Sequence, residues 1–158
     1  MNIKTAVTIL LLSMMIPSVI LAGPGHDHES GEHGHPLRKA GPNGGVIIEK
    51  VTPHIEFYVQ EDRHVRLTFL SDQETPAPRD SKFMASMVGG DRQNPMKIAF
   101  ETKGETLVST QALPEENNLP FVLTLKPDAD TTHYHRIQID MSHCSGCDLN
   151  EYACTCGH

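Results

Sequence analysis

Between residues 46 and 141 apolar and polar residues alternate with a period of two. Ile55, Phe57 and Val59 interleave with His54, Glu56, Tyr58 and Gln60, and Val65, Leu67 and Phe69 with His64, Arg66 and Thr68. Met96, Ile98 and Phe100 repeat the pattern, as do Phe121, Leu123 and Leu125. Successive side chains of a strand point to opposite faces, so each run predicts one buried face and one wet face. Glu61-Asp62 predicts a tight hairpin between the first two strands. Lys103-Gly104 turns into a strand over 106–109, and Pro127-Asp128-Ala129-Asp130 into one over 132–141. Residues 46–51 and 82–88 are further strand candidates, while 75–80 and 113–120 read as loops. No segment sustains the 3.6-residue period of a helix. Short strands punctuated by Pro, Gly and Asn predict an all-β fold, an antiparallel β-sandwich or small barrel of about seven to eight strands, over residues 41–142.

The chain ahead of this domain has a different composition. Gly41-Pro42-Asn43-Gly44-Gly45 is a dense turn signal, because Pro presets φ while Asn and Gly tolerate positive φ, and it marks the predicted domain start. Residues 25–36 contain no aliphatic side chain. Such a stretch cannot bury enough surface to offset its ordering entropy, so 23–40 is expected to be a disordered His-rich leader. Residues 1–22 have the layout of a secretory signal peptide: Lys4, an apolar run to Leu21, then Ala22 before Gly23. Pro17 interrupts that run, which is short for a span of ~20 residues. The expectation is an exported chain, periplasmic or secreted, with no membrane insertion after cleavage. Thirteen Lys and Arg against twenty Asp and Glu give a formal charge of −7, so no footprint for nucleic acid is expected.

Two residue types carry the candidate chemistry, ten His and four Cys. Cys144-Ser145-Gly146-Cys147 is followed by Cys154-Thr155-Cys156, with His143 before and His158 after. A C-x2-C with an internal Gly turns two sulfurs onto one centre, and the 154, 156, 158 spacing places two sulfurs and an imidazole on one side of an extended chain. Residues 143–158 therefore read as a Cys-rich metal-binding knuckle, suited to a zinc or copper ion. The alternative is an exported structural or interaction module whose cysteines are disulfide staples, since exported Cys are usually oxidised. Four Cys allow three pairings, of which the cross pairings, such as 144–154 with 147–156, avoid a strained C-x-C bridge. A thioredoxin-like C-x2-C would need to open a helix, and here it follows a strand.

In the leader, His26, His28, His33 and His35 lie among Asp27, Glu29 and Glu32, a mixture suited to loose capture of borderline ions. His133 and His135 share a strand face with Ile137, Ile139 and Met141. They are the remaining metal-ligand candidates, and the only ones for an open site with a bound water. There is no G-x-S-x-G, H-E-x-x-H or Gly-rich phosphate loop, and no enzyme is expected.

The signal, the His/Asp/Glu leader and the Gly-Pro-Asn-Gly-Gly entry into a β segment together resemble the amino-terminal region of periplasmic adaptor subunits of heavy-metal efflux systems, and small stand-alone proteins similar to them. The resemblance covers roughly residues 23–70. It implies metal capture in the periplasm, with delivery to, or sensing for, a heavy-metal efflux complex as partner. The chain departs from the adaptors in having no helical hairpin, no lipoyl-like half motifs and a Cys-rich tail outside their pattern.

Overall fold

A computed structural model of the protein describes residues 39–156. The eight strands are β1 (Val46–Ile48), β2 (His54–Val59), β3 (Val65–Leu70), β4 (Met84–Gly89), β5 (Met96–Lys103), β6 (Thr106–Ser109), β7 (Leu119–Lys126) and β8 (His133–Ile139). A 3-10 turn, η1 (Glu151–Ala153), follows. All pairings are antiparallel, in the order β1-β2-β3-β6-β5-β4-β7-β8, and the sheet curls into a nearly closed barrel. β5 makes the corner, since its residues 96–99 pair with β4 and 100–103 with β6. β1 and β8 end the strand order and face each other across an open seam.

The period-two positions fill the interior. Ile55, Phe57, Leu67, Phe69, Leu123 and Leu125 are fully buried, and Phe121, Ile98 and Met87 join them. Burying each such side chain stabilises the fold by roughly 1.5–3 kcal/mol, which fixes the register, because a one-residue slip would turn the whole row to solvent. Phe69 and Phe83 meet edge-to-face at 5.0 Å.

The structure adjusts several boundaries. β1 stops at Ile48, where the predicted strand ran to Val51, and β4 begins at Met84 rather than Lys82. The first hairpin takes in Arg63, which sits at φ 64°. Arg63 then pins the β6–β7 crossing: its backbone carbonyl accepts from the Leu113 amide at 2.9 Å, and its guanidinium donates to the Leu113 and Pro114 carbonyls.

The larger departure is Glu56. Alternation places it on the wet face of β2, yet it is fully buried. The entry turn folds over it, and Asn43 N (2.7 Å), Asn43 Nδ2 (2.6 Å) and Gly45 N (3.0 Å) all donate to its carboxylate. A Cβ on Gly41 would lie 2.4 Å from Glu56 Oε1, so the close approach requires glycine there.

The predicted signal and residues 23–38 of the leader, with His26, His28, His33 and His35, lie outside the described residues, as does His158. Among the described residues no helix is long and apolar enough to cross a membrane.

Candidate metal centre

After β8 the chain doubles back across the end of the seam. Asp140 accepts from the Ser142 amide at 2.9 Å and starts the turn. The Cys144 amide donates to the Leu149 carbonyl at 2.8 Å, closing a loop around the C-x2-C. His143 and Asn150 form a bridge, and the Glu151 amide donates to the Ser142 carbonyl. η1 then carries the chain to Cys154 and Cys156.

Two residues, Tyr152 and Leu149, dock this knuckle across the seam on β2 and the entry turn. The Tyr152 hydroxyl accepts from the Val59 amide at 3.0 Å, deep in the core. Its ring meets Phe57 edge-on at 6.2 Å. Burial pushes the Tyr152 hydroxyl up to about 12, outweighing the Val59 amide, which alone would lower it. Leu149 packs against the entry turn so closely that a Cβ on Gly44 would lie 3.2 Å from it.

Within the knuckle Cys144, Cys147, Cys154 and Cys156 come together, with all four Sγ atoms within 4.8 Å of one another. Cys144 Sγ lies 3.3 Å from Cys154 Sγ and 3.9 Å from Cys156 Sγ, and Cys147 Sγ lies 4.0 Å from Cys154 Sγ. Four sulfurs around a tetrahedral ion at ~2.3 Å stand about 3.8 Å apart, so these separations fit an S4 donor set with small adjustments. Cys144 is buried, the other three are half-buried, and no disulfide joins them.

Backbone amides aim at the sulfurs. The Gly146 amide donates to Cys144 Sγ at 3.4 Å, and the Cys156 amide to Cys154 Sγ at 3.3 Å. Amide donors favour the thiolate, the form that binds metal. The Thr155 amide, set against burial and aided by the Cys156 thiol, brings Cys147 down to about 7. The shared hydrogen bond with Cys147, then burial, pushes Cys156 up to about 12. Cys154 is raised: the Cys156 amide lowers it, but burial and the Cys144 and Cys147 thiols together prevail. The cluster thus favours a thiolate at Cys147 before Cys154 and Cys156, with neighbouring thiols donating around it.

The other candidate ligands fare differently. His143 is exposed beside the knuckle and outside the four-sulfur group. His133 and His135 lie opposite Leu125 and Leu123 of β7 and share a face with Ile137 and Ile139, as alternation predicts. Among the described residues they meet no third ligand that completes a site. His135 lines a cleft of about 940 Å³ along the seam, with Val46, Lys50, Phe121, Arg136 and Tyr152 among its walls. The sequence held no signal for the part played by Tyr152, because its partner Val59 is 93 residues away.

No family model, curated protein or solved structure matches the chain.

Proposed function

We propose that the protein is an exported metal-binding protein whose knuckle holds one zinc or copper ion at Cys144, Cys147, Cys154 and Cys156. The observation that carries this reading is the convergence of four sulfurs from two separate segments at spacings near those of a tetrahedral thiolate site. Soft sulfur selects Zn(II) and Cu(I) over hard cations such as Mg(II) and Ca(II). Tyr152, Leu149 and the amide donors hold the sulfurs in place before an ion arrives, which lowers the ordering cost of binding. On this reading the leader histidines supply weaker, exchangeable sites in the periplasm, and the protein serves heavy-metal capture for an efflux complex.

Native mass spectrometry of the reduced protein with Zn(II) or Cu(I) tests the tight site. A 1:1 complex that is lost in Cys144→Ser is expected, and its absence in the wild type would end the proposal. Deleting residues 26–35 should remove only the weaker sites. Unchanged low-affinity stoichiometry would make the leader a linker. The 3.3 Å contact between Cys144 and Cys154 favours a second reading, an interaction module stapled by disulfides. A thiol count on unreduced protein separates the two, with zero thiols supporting the staples.

A further inference from the structure

We infer that the sulfur cluster has a second chemistry: Cys144 and Cys154 form a dithiol–disulfide couple that exchanges with an external disulfide and thereby releases the ion. The inference rests on the metal reading for the release and on geometry alone for the couple.

Cys144 Sγ and Cys154 Sγ stand 3.3 Å apart, inside the roughly 3.8 Å edge of a thiolate tetrahedron, whereas the 144–156 and 147–154 separations of 3.9 and 4.0 Å lie close to that edge. Closing the pair to a bond of ~2.05 Å takes about 1.3 Å of sulfur movement. The segments that carry the two sulfurs are already fixed against each other. Cys144 N donates to Leu149 O, Glu151 N to Ser142 O and Ala153 N to Asn150 O. The bond therefore forms within a preset loop.

Burial separates the tasks within this pair. Cys154, half-buried like Cys147 and Cys156, is within reach of a reagent, while Cys144 is 1% exposed and is not; its 3.3 Å distance to Cys144 marks Cys154 as the partner. Cys154 gives its Sγ proton to solvent and attacks an external disulfide R–S–S–R, giving Cys154–S–S–R and releasing R–S⁻, which takes up a proton. The Cys144 thiolate then attacks Cys154 Sγ from the buried side and expels the second R–S⁻, which is protonated in turn. Two electrons pass from the protein to the reagent: two cysteine thiols become one disulfide, and one R–S–S–R becomes two R–SH. The ion is left with Cys147 and Cys156 and loses half its sulfur donors. Nothing in this step breaks the Tyr152–Val59 hydrogen bond, so the knuckle stays docked and the change is reversible.

The test treats the reduced full chain, metal-free and loaded with one equivalent of Zn(II), with oxidised glutathione. Disulfides are mapped by peptide mass spectrometry, and zinc is followed with a chromophoric chelator. A 144–154 disulfide is expected in both samples, with one zinc released per disulfide and zinc rebinding after dithiothreitol. Cys144→Ser should stop at the glutathione adduct on Cys154. Dominant pairing of Cys147 with Cys156, bonds between chains, or zinc retained after the disulfide has formed would each overturn the inference. If the wild type binds no zinc, the zinc form of the metal reading fails by itself, and the mapping on metal-free protein still decides the couple.

Discussion

Replacing Tyr152 by Phe removes one oxygen from the joint between knuckle and barrel and leaves the ring in place. The Val59 amide now donates to that oxygen at 3.0 Å, with Val59 2% and Tyr152 5% exposed, so water cannot easily replace it. A buried amide left without an acceptor costs roughly 1–3 kcal/mol. The edge-on contact with Phe57 survives, which keeps the loss specific to the hydrogen bond. The same hydroxyl gives a second readout. Its folded value of about 12 lies above the ordinary 10, so the fold favours the protonated form. That contribution is complete below pH 10 and disappears as pH climbs through 12, at about 2–3 kcal/mol in all. Urea unfolding of the reduced, metal-free protein followed by far-ultraviolet circular dichroism suits a chain without Trp. Tyr152→Phe should lose stability at pH 8 and lose less than the wild type between pH 10 and 12. Equal stabilities at pH 8 within the scatter of extrapolation, together with an unchanged alkaline limb, would refute the docking role.

Three further outcomes are expected. Glu56→Ala should destabilise the domain by about 3 kcal/mol or more in the same urea assay, because it strips the acceptor from three donors in the entry turn. Gly146→Ala should weaken zinc binding at least about tenfold in a chelator competition, with little change in the circular dichroism of the barrel; its Cβ would sit 2.9 Å from Cys156 Sγ and push that donor aside, and a tenfold loss corresponds to only about 1.4 kcal/mol. Stripping zinc from the loaded protein with a chelator should lower its thermal midpoint, since an ion bound only by the folded knuckle adds to stability by mass action. An unchanged midpoint would show that the ion does not bind the native cluster.

Strand positions were legible because burial on one face imposes a period of two, and the rows at 55–59, 65–69 and 121–125 lie where that period puts them. Strand order was not legible. β3 neighbours β6, and β4 neighbours β7, through crossings whose anchors, such as Arg63 on Leu113, leave no local periodicity. Alternation misplaced Glu56 because it reports the pleat and says nothing of what folds over the outer face. In the candidate site the C-x2-C and C-x-C spacings marked the four sulfurs, since short turns alone aim them together. Their convergence rests on backbone bonds such as Cys144 N to Leu149 O and Glu151 N to Ser142 O, and the docking of the knuckle on β2 through Tyr152 is a long-range event without a motif.

The Val59–Tyr152 bond spans 93 positions of the chain. During synthesis, a nascent segment that has reached Ile139 already carries every strand yet lacks the residue that ties the final one back to the second. Contacts of such separation carry a large loop-closure entropy and form slowly. Until they form, two strand edges stand open to pairing with a neighbouring polypeptide. Closure of the barrel at that end therefore waits on residues made after the last strand, and a lesion at Tyr152 would show first as misassociation of newly made chains.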